Sequence, residues 1–319
     1  MRTKKSNGEK VLITGGAGFI GTHLCGDLLK LGHQIFSLDL KEPKEPVAGT
    51  KYIRGDARDF DLVKTMVADF KISSIYHLAA TVSVPLCQKN PVESYSHNFL
   101  ATQSVLEAAR HSPNLVRVAF ASSAALYGSL GNTRAPLLEE KTASRFSSFY
   151  AAQKHASEKI IELYTEFFNI PTLIFRFFNV YGKGQDPSSP YSGVITIFSR
   201  LAKENKPIQV FNSGVQTRDF IAVNELTKAI ASALTLPTKK WDGSVMNLGS
   251  GVSTTVKELA ELIRGIAGST APILDEPPRE GDVLHSLADI SLARKLLHFN
   301  PTSHLKHALQ QSQVFDKSV

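Results

Sequence analysis

Short apolar runs recur along the first two hundred residues, and segments with helical spacing of their apolar positions separate them. The runs are rich in β-branched and aromatic residues, which is typical of strands. Their alternation with helical segments predicts βαβ units around a parallel sheet. Six strands are expected in this part of the chain. They are EKVLITGG (9–16), HQIFSLDL (33–40), GTKYIRGD (49–56), SSIYHLAA (73–80), LVRVAFASS (115–123) and IPTLIFRFFN (170–179).

The last third of the chain, from about Gly182, has a different pattern. Proline and glycine interrupt it, and two segments, VNELTKAIASAL (223–234) and TVKELAELIRGIA (255–267), have helical periodicity. We therefore predict an α/β fold with a Rossmann-type doubly wound parallel sheet and a smaller C-terminal α/β substrate-binding domain. The predicted domains are residues 1–181 and 182–319, with some later segments returning to the first.

The composition is that of a globular protein: 42% of the 319 residues are hydrophobic and 20% are charged, enough for a full core. No apolar run is long enough to span a bilayer, and the basic start MRTKKSNGEK lacks the apolar core of a signal peptide. Cys25 and Cys87 alone provide neither a disulfide framework nor a zinc site, which favours no metal and a reducing, cytoplasmic location. The 36 basic residues behind the net charge of +7 are scattered, which favours an anionic small substrate over nucleic acid.

A glycine-rich turn follows the first predicted strand. In VLITGGAGFIGTHLCGDLL, Gly15, Gly18 and Gly21 are spaced three residues apart before a predicted helix. Such glycines let the backbone approach a pyrophosphate, and the helix N-terminus supplies free N–H groups and a positive dipole. Asp39 ends the second strand 18 residues after Gly21, where a carboxylate accepts hydrogen bonds from both ribose hydroxyls. This pattern predicts a dinucleotide site that favours NAD over NADP, because a carboxylate repels the additional phosphate.

The segment SSFYAAQKHASEK (147–159) consists mostly of good helix formers and begins with serines suited to an N-terminal cap. Tyr150 and Lys154 are four residues apart, so a helix places them on one face with their β-carbons about 5 to 6 Å apart. A tyrosine that acts as a base near neutral pH needs its pKa lowered by about 3 units from about 10. We expect Lys154, together with a positive nicotinamide ring, to lower it.

Taken in order, these motifs resemble those of extended short-chain dehydrogenases/reductases, specifically NAD-dependent nucleotide-sugar 4-epimerases of the UDP-galactose or UDP-N-acetylglucosamine type. The resemblance runs from about Glu9 to Phe299 and implies NAD as cofactor and a UDP-sugar as substrate. It places Ser123 of FASSAALYG in the catalytic position beside Tyr150 and Lys154. The cofactor-binding positions that it implies are Gly15, Gly18, Phe19, Ile20, Gly21, Asp39, Asp56, Ala57, Leu78, Ala79, Ala80, Tyr150 and Lys154.

The reaction that this resemblance implies is a transient oxidation. Ionised Tyr150 removes the proton of the sugar 4-hydroxyl while hydride passes to NAD, and Ser123 holds the oxygen by a hydrogen bond. The 4-keto sugar then turns about its diphosphate and takes the hydride back on its other face. This chemistry needs no histidine base, so we expect structural roles for the histidines at the end of the fourth strand and elsewhere. They are His77, His97 and His285.

The resemblance also implies a set of substrate-binding residues. Asn179 lies at the diphosphate, and the stretch from Tyr191 to Val194 lies near the uridine. Two arginines suit a diphosphate, because each guanidinium donates to paired oxygens. Phe211 either flanks the uracil or packs in the core. The full set is Ser83, Ser123, Asn179, Tyr191, Val194, Phe211, Arg218, Arg279, Asp282 and Ser286.

The prediction of which sugar is accepted rests on Ser286. In the resembling epimerases, the residue seven places after the phosphate-binding arginine, here Arg279, borders the 2-substituent, and a tyrosine there restricts the enzyme to glucose and galactose. The small Ser286 leaves room for an N-acetyl group and offers it a hydrogen bond. The alternative is that Ser286 only caps or turns the chain before the helix in ADISLARKLL (288–297).

Three other functions remain open. Sugar-nucleotide 4,6-dehydratases carry an Asp-Glu pair after the catalytic hydroxyl residue, whereas this chain has Ala124 and Ala125 there, without a proton shuttle for elimination. UDP-glucuronate epimerases often have threonine at the position of Asn179, which disfavours a uronate. A dinucleotide-sensing protein without activity is the third alternative. Such proteins commonly lose the tyrosine that this chain keeps.

The resembling enzymes are usually homodimers in which each subunit contributes two helices to the interface. The resemblance therefore implies a homodimer for this chain. The corresponding helices are PVESYSHNFLATQSVLEAAR (91–110) and the helix that carries Tyr150.

Overall fold

A computed structural model describes residues 8–141, 145–185, 193–278, 283–302 and 304–311 of the chain. Tyr191, Arg279 and Asp282 lie outside these residues. The strands are β1 Lys10–Thr14, β2 Gln34–Asp39, β3 Thr50–Arg54, β4 Ser74–His77, β5 Arg117–Ser123, β6 Thr172–Phe177, β7 Asn179–Tyr181, β8 Ile208–Phe211, β9 Thr217–Ala222, β10 Asp242–Leu248, β11 Ser253–Thr255 and β12 Ile273–Glu276. The α-helices are α1 Phe19–Lys30, α2 Phe60–Asp69, α3 Val84–Lys89, α4 Pro91–Tyr95, α5 Ala101–Arg110, α6 Phe149–Phe168, α7 Val194–Lys203, α8 Val223–Ser232, α9 Val256–Ala267, α10 Ser291–Leu297 and α11 Leu305–Gln311.

The central sheet is seven-stranded and parallel, with the strand order β10-β6-β5-β4-β1-β2-β3. The chain runs outward from β1 to β3 and then returns to the other side of β1 with β4. This reversal creates a switch point between β1 and β4, where the carboxyl ends of the strands leave a crevice for a ligand. The six strands predicted from the sequence and the Rossmann-type fold class are confirmed.

The strands of the sheet centre are apolar on both faces because helices cover both faces of such a sheet. Leu12 of β1, Ile75 of β4 and Val118 of β5 are buried in one core cluster with side chains of α2 and α5. The core therefore fixes the positions of the strand ends at which the predicted site residues lie.

The helix that carries Tyr150 begins as its sequence predicts. Ser148 is its N-cap, and the side-chain oxygen of Ser148 accepts a hydrogen bond from the backbone N–H of Ala151 at 3.2 Å. The helix continues beyond the predicted segment to Phe168 and ends at Asn169, which has a left-handed conformation with φ of 53°. Such a residue is a common helix terminator, and asparagine tolerates it well.

The segment 91–110 is less regular than a single helix. A π-helical turn over Ser96–Leu100 separates α4 from α5. Within this turn, the buried amide of Asn98 accepts from the backbone N–H of Thr81 at 2.7 Å and donates to the side chain of Gln153 at 2.8 Å. The wider turn thus lies where a polar side chain of the helix forms hydrogen bonds with other elements.

Two compact units make up the described chain. The first contains the described residues of 1–123, 148–176 and 227–246, and the second those of 124–147, 177–226 and 247–319. The domain division of the sequence analysis, at residue 181, stays a prediction. None of the helices in the described ranges is long and apolar enough to cross a membrane.

The second unit is built around β9, which pairs in parallel with β7 and antiparallel with β11. β8 and β12 form a separate parallel pair. Side chains of α7, α9 and β9 fill the core of this unit, and they include Phe198, Phe220 and Leu259. Helix α9 begins with a capping box, in which Thr255 and Glu258 each bind the other's backbone N–H.

Candidate functional site

The glycine turn between β1 and α1 forms a close-packed cradle. Gly15 has φ of +75°, and a β-carbon there would lie 2.7 Å from the backbone nitrogen of Ala79. A β-carbon at Gly21 would lie 2.2 Å from the carbonyl oxygen of Gly15. Gly18 is the N-cap of α1 and has no side chain to cap the first N–H groups of the helix. Phe19 and Ile20 start the helix half-buried. A turn of this shape fits a pyrophosphate at the N-terminus of α1.

Asp39 lies at the end of β2, next to the glycine turn. One carboxylate oxygen accepts a hydrogen bond from the backbone N–H of Ala17 at 3.1 Å, and the other accepts from that of Lys41 at 3.1 Å. The acid is therefore fixed against the turn, and it stays half-exposed. This is the arrangement in which a carboxylate binds the ribose of a dinucleotide whose phosphates occupy the turn.

Asp56 follows β3 and forms an ion pair with Arg58. The Arg58 Nε donates to Oδ2 of Asp56 at 2.9 Å, and its Nη1 donates to the hydroxyl of Ser96 at 3.0 Å. The guanidinium holds the pKa of the Asp56 carboxyl below its usual range. Ala57 between them is buried in the core of the sheet.

The segment after β4 lies against the end of β1. The backbone N–H of Leu78 donates to the carbonyl of Thr14 at 3.0 Å, and that of Ala79 to the Thr14 hydroxyl at 3.4 Å. Leu78, Ala79 and Ala80 are half-buried. They therefore line the β1/β4 switch point beside Gly15, and their contact with a cofactor stays a prediction.

Ser123, Tyr150 and Lys154 come together in the first unit. Ser123 ends β5, and its side chain is hydrogen-bonded to the hydroxyl of Tyr150. Lys154 lies one turn after Tyr150 on the buried face of α6. Its Nζ donates to the carbonyl of Ala121 in β5 at 2.7 Å and lies 4.6 Å from the centre of the Phe120 ring.

Burial dominates the protonation of this pair. It raises the pKa of Tyr150 to about 12, although the hydrogen bond from Ser123 acts in the opposite direction. It also lowers the pKa of Lys154 to about 7, while the nearby Glu158 carboxylate acts to raise it. The pKa of Tyr150 is thus raised, whereas a base that acts near neutral pH needs a lowered pKa. The cost of ionising a buried phenol exceeds what the protein's own groups supply.

Glu158 was not identified from the sequence. It lies on the same face of α6 as Lys154, one further turn along, and is 1% exposed. Its carboxylate accepts hydrogen bonds from Arg176 Nε at 2.9 Å, from Arg176 Nη2 at 2.7 Å and from the hydroxyl of Ser122. In the sequence, Glu158 is visible only as an acidic residue four positions after Lys154. Such a residue is ordinarily interpreted as part of the exposed face of a helix.

Three of the predicted substrate residues are brought together in the second unit by β9. Asn179 Nδ2 donates to the carbonyl of Asp219 at 3.0 Å, and Arg218 Nη1 donates to the carbonyl of Val283 at 2.7 Å. The backbone N–H of Ser286 donates to the carbonyl of Thr217 at 3.1 Å. Ser286 is buried, and α10 begins only at Ser291, so Ser286 does not cap that helix.

Asp219 was also missed by the sequence analysis. Its carboxylate is buried and accepts from the backbone N–H groups of Ser250, Gly251 and Ala288 and from the Ser250 hydroxyl, at 2.6 to 3.1 Å. Burial raises the pKa of Asp219, although these hydrogen bonds act in the opposite direction. Asp219 therefore holds the loop after β10 and the segment of Ser286 against β9.

The remaining predicted substrate residues have the following positions. Ser83 is the N-cap of α3, and its hydroxyl oxygen accepts from the backbone N–H of Leu86 at 3.2 Å. Val194 begins α7 and packs against the core of the second unit. Phe211 ends β8 and is half-buried.

The three histidines for which the sequence predicts structural roles each lie beside threonine hydroxyl groups. His77 lies between the hydroxyls of Thr14 and Thr102, at 2.7 and 3.1 Å, and burial lowers its pKa to about 3. His97 and His285 each contact one threonine hydroxyl. Within the described ranges, no group of three or more His, Cys, Asp or Glu residues could hold a metal ion.

Comparison with known proteins matches this geometry to one family. A profile of the NAD dependent epimerase/dehydratase family matches residues 11–249. The chain is 33% identical to an uncharacterized UDP-glucose epimerase of Bacillus subtilis, over 97% of this chain and 98% of the relative. It is 30% identical to UDP-glucuronate 4-epimerase 4 of Arabidopsis thaliana, over 98% of this chain and 76% of the relative.

A solved structure shares the fold over almost the whole chain. It is the UDP-N-acetylglucosamine 4-epimerase from Methanobrevibacter ruminantium M1 in complex with UDP-N-acetylmuramic acid. The TM-score is 0.87 at 29% identity, over 97% of this chain and 98% of the other. The profile match, the relatives of similar length and this structure agree, and the chain belongs to the NAD dependent epimerase/dehydratase family of extended short-chain dehydrogenases/reductases.

Proposed function

We propose that the protein interconverts UDP-hexoses that differ at carbon 4, with UDP-N-acetylglucosamine and UDP-N-acetylgalactosamine as one pair and UDP-glucose and UDP-galactose as the other. The observation that carries this proposal is the group formed by the buried Tyr150 and Lys154 with the half-buried Ser123, whose side chain is hydrogen-bonded to the Tyr150 hydroxyl. A phenol and an ammonium in a dry environment, with a hydroxyl bound to the phenol, suit proton removal from a sugar hydroxyl.

The cofactor of the family fits the residues that are present. A β-carbon at Gly15 or Gly21 would fill the cradle above the N-terminus of α1, and Asp39 is fixed beside it. These residues would hold the pyrophosphate and a ribose. When bound, NAD supplies the hydride acceptor, and its positively charged ring favours the phenolate form of Tyr150.

The protonation of Tyr150 and Lys154 sets the direction of proton transfer. At low pH both groups carry their proton, and Tyr150 cannot accept another. In the protein alone, the first proton lost as the pH rises through about 7 is that of Lys154, since burial raises the pKa of Tyr150 to about 12. In the active form, Lys154 carries the proton and Tyr150 is the phenolate that the nicotinamide ring would favour, and Tyr150 takes the proton of the 4-hydroxyl as the hydride leaves carbon 4. Ser123 donates a hydrogen bond to the same oxygen, and the reverse transfer returns the proton when the hydride is added to the other face.

Two features support epimerisation over elimination of water or a uronate substrate. Ala124 and Ala125 follow Ser123, so these positions offer no acid or base to expel a hydroxyl group. Asn179, which binds the backbone of Asp219 through its amide, stands where UDP-glucuronate epimerases often have threonine. UDP-glucuronate is the second candidate, since a relative of similar identity is a UDP-glucuronate 4-epimerase.

Tyr150→Phe removes the ionisable oxygen and almost no volume. We expect turnover to fall by at least about a hundredfold, since general-base catalysis commonly contributes that much. Binding of UDP-sugar, measured by calorimetry, is expected to remain, and Tyr95→Phe, the same change at an exposed tyrosine, serves as the control. Near-normal turnover of Tyr150→Phe would refute the proposed base.

The protein is expected to purify with NAD bound. Asp39→Ala removes charge-assisted hydrogen bonds to the ribose, so the Kd for NAD should rise by about tenfold or more. Mass spectrometry of the nucleotide released on denaturation identifies the cofactor. Asp69→Ala removes an exposed carboxylate at the end of α2 as the control. Release of NADP from the wild type would contradict the role of Asp39.

Ser286→Tyr tests the choice of sugar. A tyrosine in this buried position should reject the N-acetyl group by steric clash, and we expect kcat/KM for the N-acetylated pair to fall by about tenfold more than for the plain hexoses. Proton NMR of the products from a panel that includes UDP-glucuronate measures all the substrates. Equal losses, or no wild-type turnover of the N-acetylated sugars, would show that Ser286 does not select the substrate. Turnover of UDP-glucuronate alone would replace the proposed substrate.

A homodimer that pairs α4, α5 and α6 with their copies is the proposed assembly. Apolar side chains are exposed on these helices, among them Val92 at 83% and Phe167 at 67%. A contiguous patch of such side chains on a monomer typically marks an interface. Sedimentation velocity should give a dimer for the wild type and a monomer for Phe167→Asp. Val252→Asp, at a residue 61% exposed in the second unit, should remain dimeric. A monomeric wild type would overturn the proposal.

A further inference from the structure

Three residues on successive turns of α6 share one buried face: Tyr150, Lys154 and Glu158. The mechanism above uses the first two. Glu158 is 1% exposed, and a carboxylate is almost never buried so completely unless it is paired. Its position one turn beyond Lys154 on the same helix face places a negative charge near the ammonium.

Glu158 connects three elements of the first unit. Its carboxylate receives two hydrogen bonds from Arg176 of β6 and one from the hydroxyl of Ser122 in β5. Ser122 directly precedes Ser123, and Ala121, which precedes Ser122, provides the carbonyl that accepts from Lys154. The same three-residue stretch of β5 therefore contacts Glu158, Lys154 and Tyr150.

The charged and titratable neighbours of Lys154 come from four elements. Tyr150 and Glu158 lie on α6, His77 lies on β4, Cys87 lies on α3, and Arg176 of β6 is bonded to Glu158. Burial lowers the pKa of His77 to about 3 and raises the pKa of Cys87, so both groups are neutral at physiological pH. The Glu158 carboxylate is thus the anion that acts on Lys154 among these neighbours.

We infer that Glu158 is a positioning residue of this site: its carboxylate balances the charge of Lys154 and, through Ser122, fixes the end of β5 that carries Ser123. This inference rests on the proposed function, because it assigns a role relative to Lys154 and Ser123. Arg176 orients the carboxylate by two parallel hydrogen bonds.

The sign of the effect follows from the charge. A negative group near Lys154 favours its protonated form, so the pair of Tyr150 and Lys154 holds its second proton to a higher pH than it would without Glu158. After loss of one proton, the same charge favours the form with the proton on Lys154 and the negative charge on Tyr150. Removal of the carboxylate should therefore shift the acid limb of activity to lower pH and reduce the plateau.

Glu158→Gln preserves the shape and the acceptor oxygen and removes the charge. For this variant we expect the acid limb of kcat/KM against pH to move down by about one unit. The plateau should fall by about tenfold, since one pKa unit is a tenfold change in the proton equilibrium. Glu162→Gln removes the same charge one turn further along α6, where the side chain is 41% exposed and pairs with Lys159. Its limb and plateau should equal those of the wild type.

A double variant distinguishes the inferred role of Glu158 from a purely structural one. Glu158→Gln leaves Arg176 as a buried charge without its carboxylate, which destabilises the fold. Glu158→Gln/Arg176→Met removes both charges, so it should regain stability while its acid limb stays below that of the wild type. Glu158→Asp, which keeps the charge, should restore most of the limb. A wild-type limb in the double variant would show that the ion pair only supports the fold and would overturn the inference.

A direct titration of Lys154 distinguishes this inference from the proposed function. Protein labelled with carbon-13 at the lysine ε-carbons gives a resonance for Lys154, assigned by its absence in Lys154→Met. Its midpoint should lie lower in Glu158→Gln than in the wild type, whether or not any UDP-sugar is turned over. Unchanged midpoints would overturn the inference. A shifted midpoint in a protein without epimerase activity would leave the role of Glu158 toward Lys154 intact and refute the proposed function.

Discussion

The charge on Lys154 depends on groups that the fold places around a side chain only 2% exposed. Burial alone disfavours the protonated form of Lys154. Three groups favour that form: the carbonyl of Ala121, which accepts a hydrogen bond, the face of the Phe120 ring and the negative charge of Glu158. The first two belong to β5, and Glu158 is tied to β5 through Ser122. The proposed proton transfer by Tyr150 therefore depends on how α6 packs against this strand.

The strand order of the central sheet also fixes the proposed cofactor cradle. β1 lies between β2 and β4, so the glycine turn after β1, Asp39 after β2 and Leu78 to Ala80 after β4 meet at one edge of the sheet. β5 is the next strand beyond β4 and ends in Ser123. One parallel sheet thus brings the proposed dinucleotide-binding positions and the hydroxyl that binds Tyr150 to neighbouring strand ends.

Much of this arrangement could be predicted from the sequence, because its signals are local. Six strands, the glycine turn and the helix start at Ser148 each follow from a short pattern of residue types. The network around Glu158 depends instead on the contact of β5, β6 and α6, between residues up to 36 positions apart, and the donors around Asp219 come from residues up to 69 positions away. Neither is visible as a motif. The raised pKa of Tyr150 was missed for the same reason, since the degree of burial is a property of the packed structure.

In the proposed mechanism, Tyr150 becomes a phenolate near neutral pH once NAD is bound, although burial raises its pKa to about 12 in the protein alone. A pH titration of the NAD-bound protein, followed by the near-ultraviolet absorbance of phenolate, measures this directly. We expect one phenolate that forms near neutral pH in the wild type and is absent from Tyr150→Phe. Formation of phenolate only in strongly alkaline solution, or an equal signal in Tyr150→Phe, would contradict it.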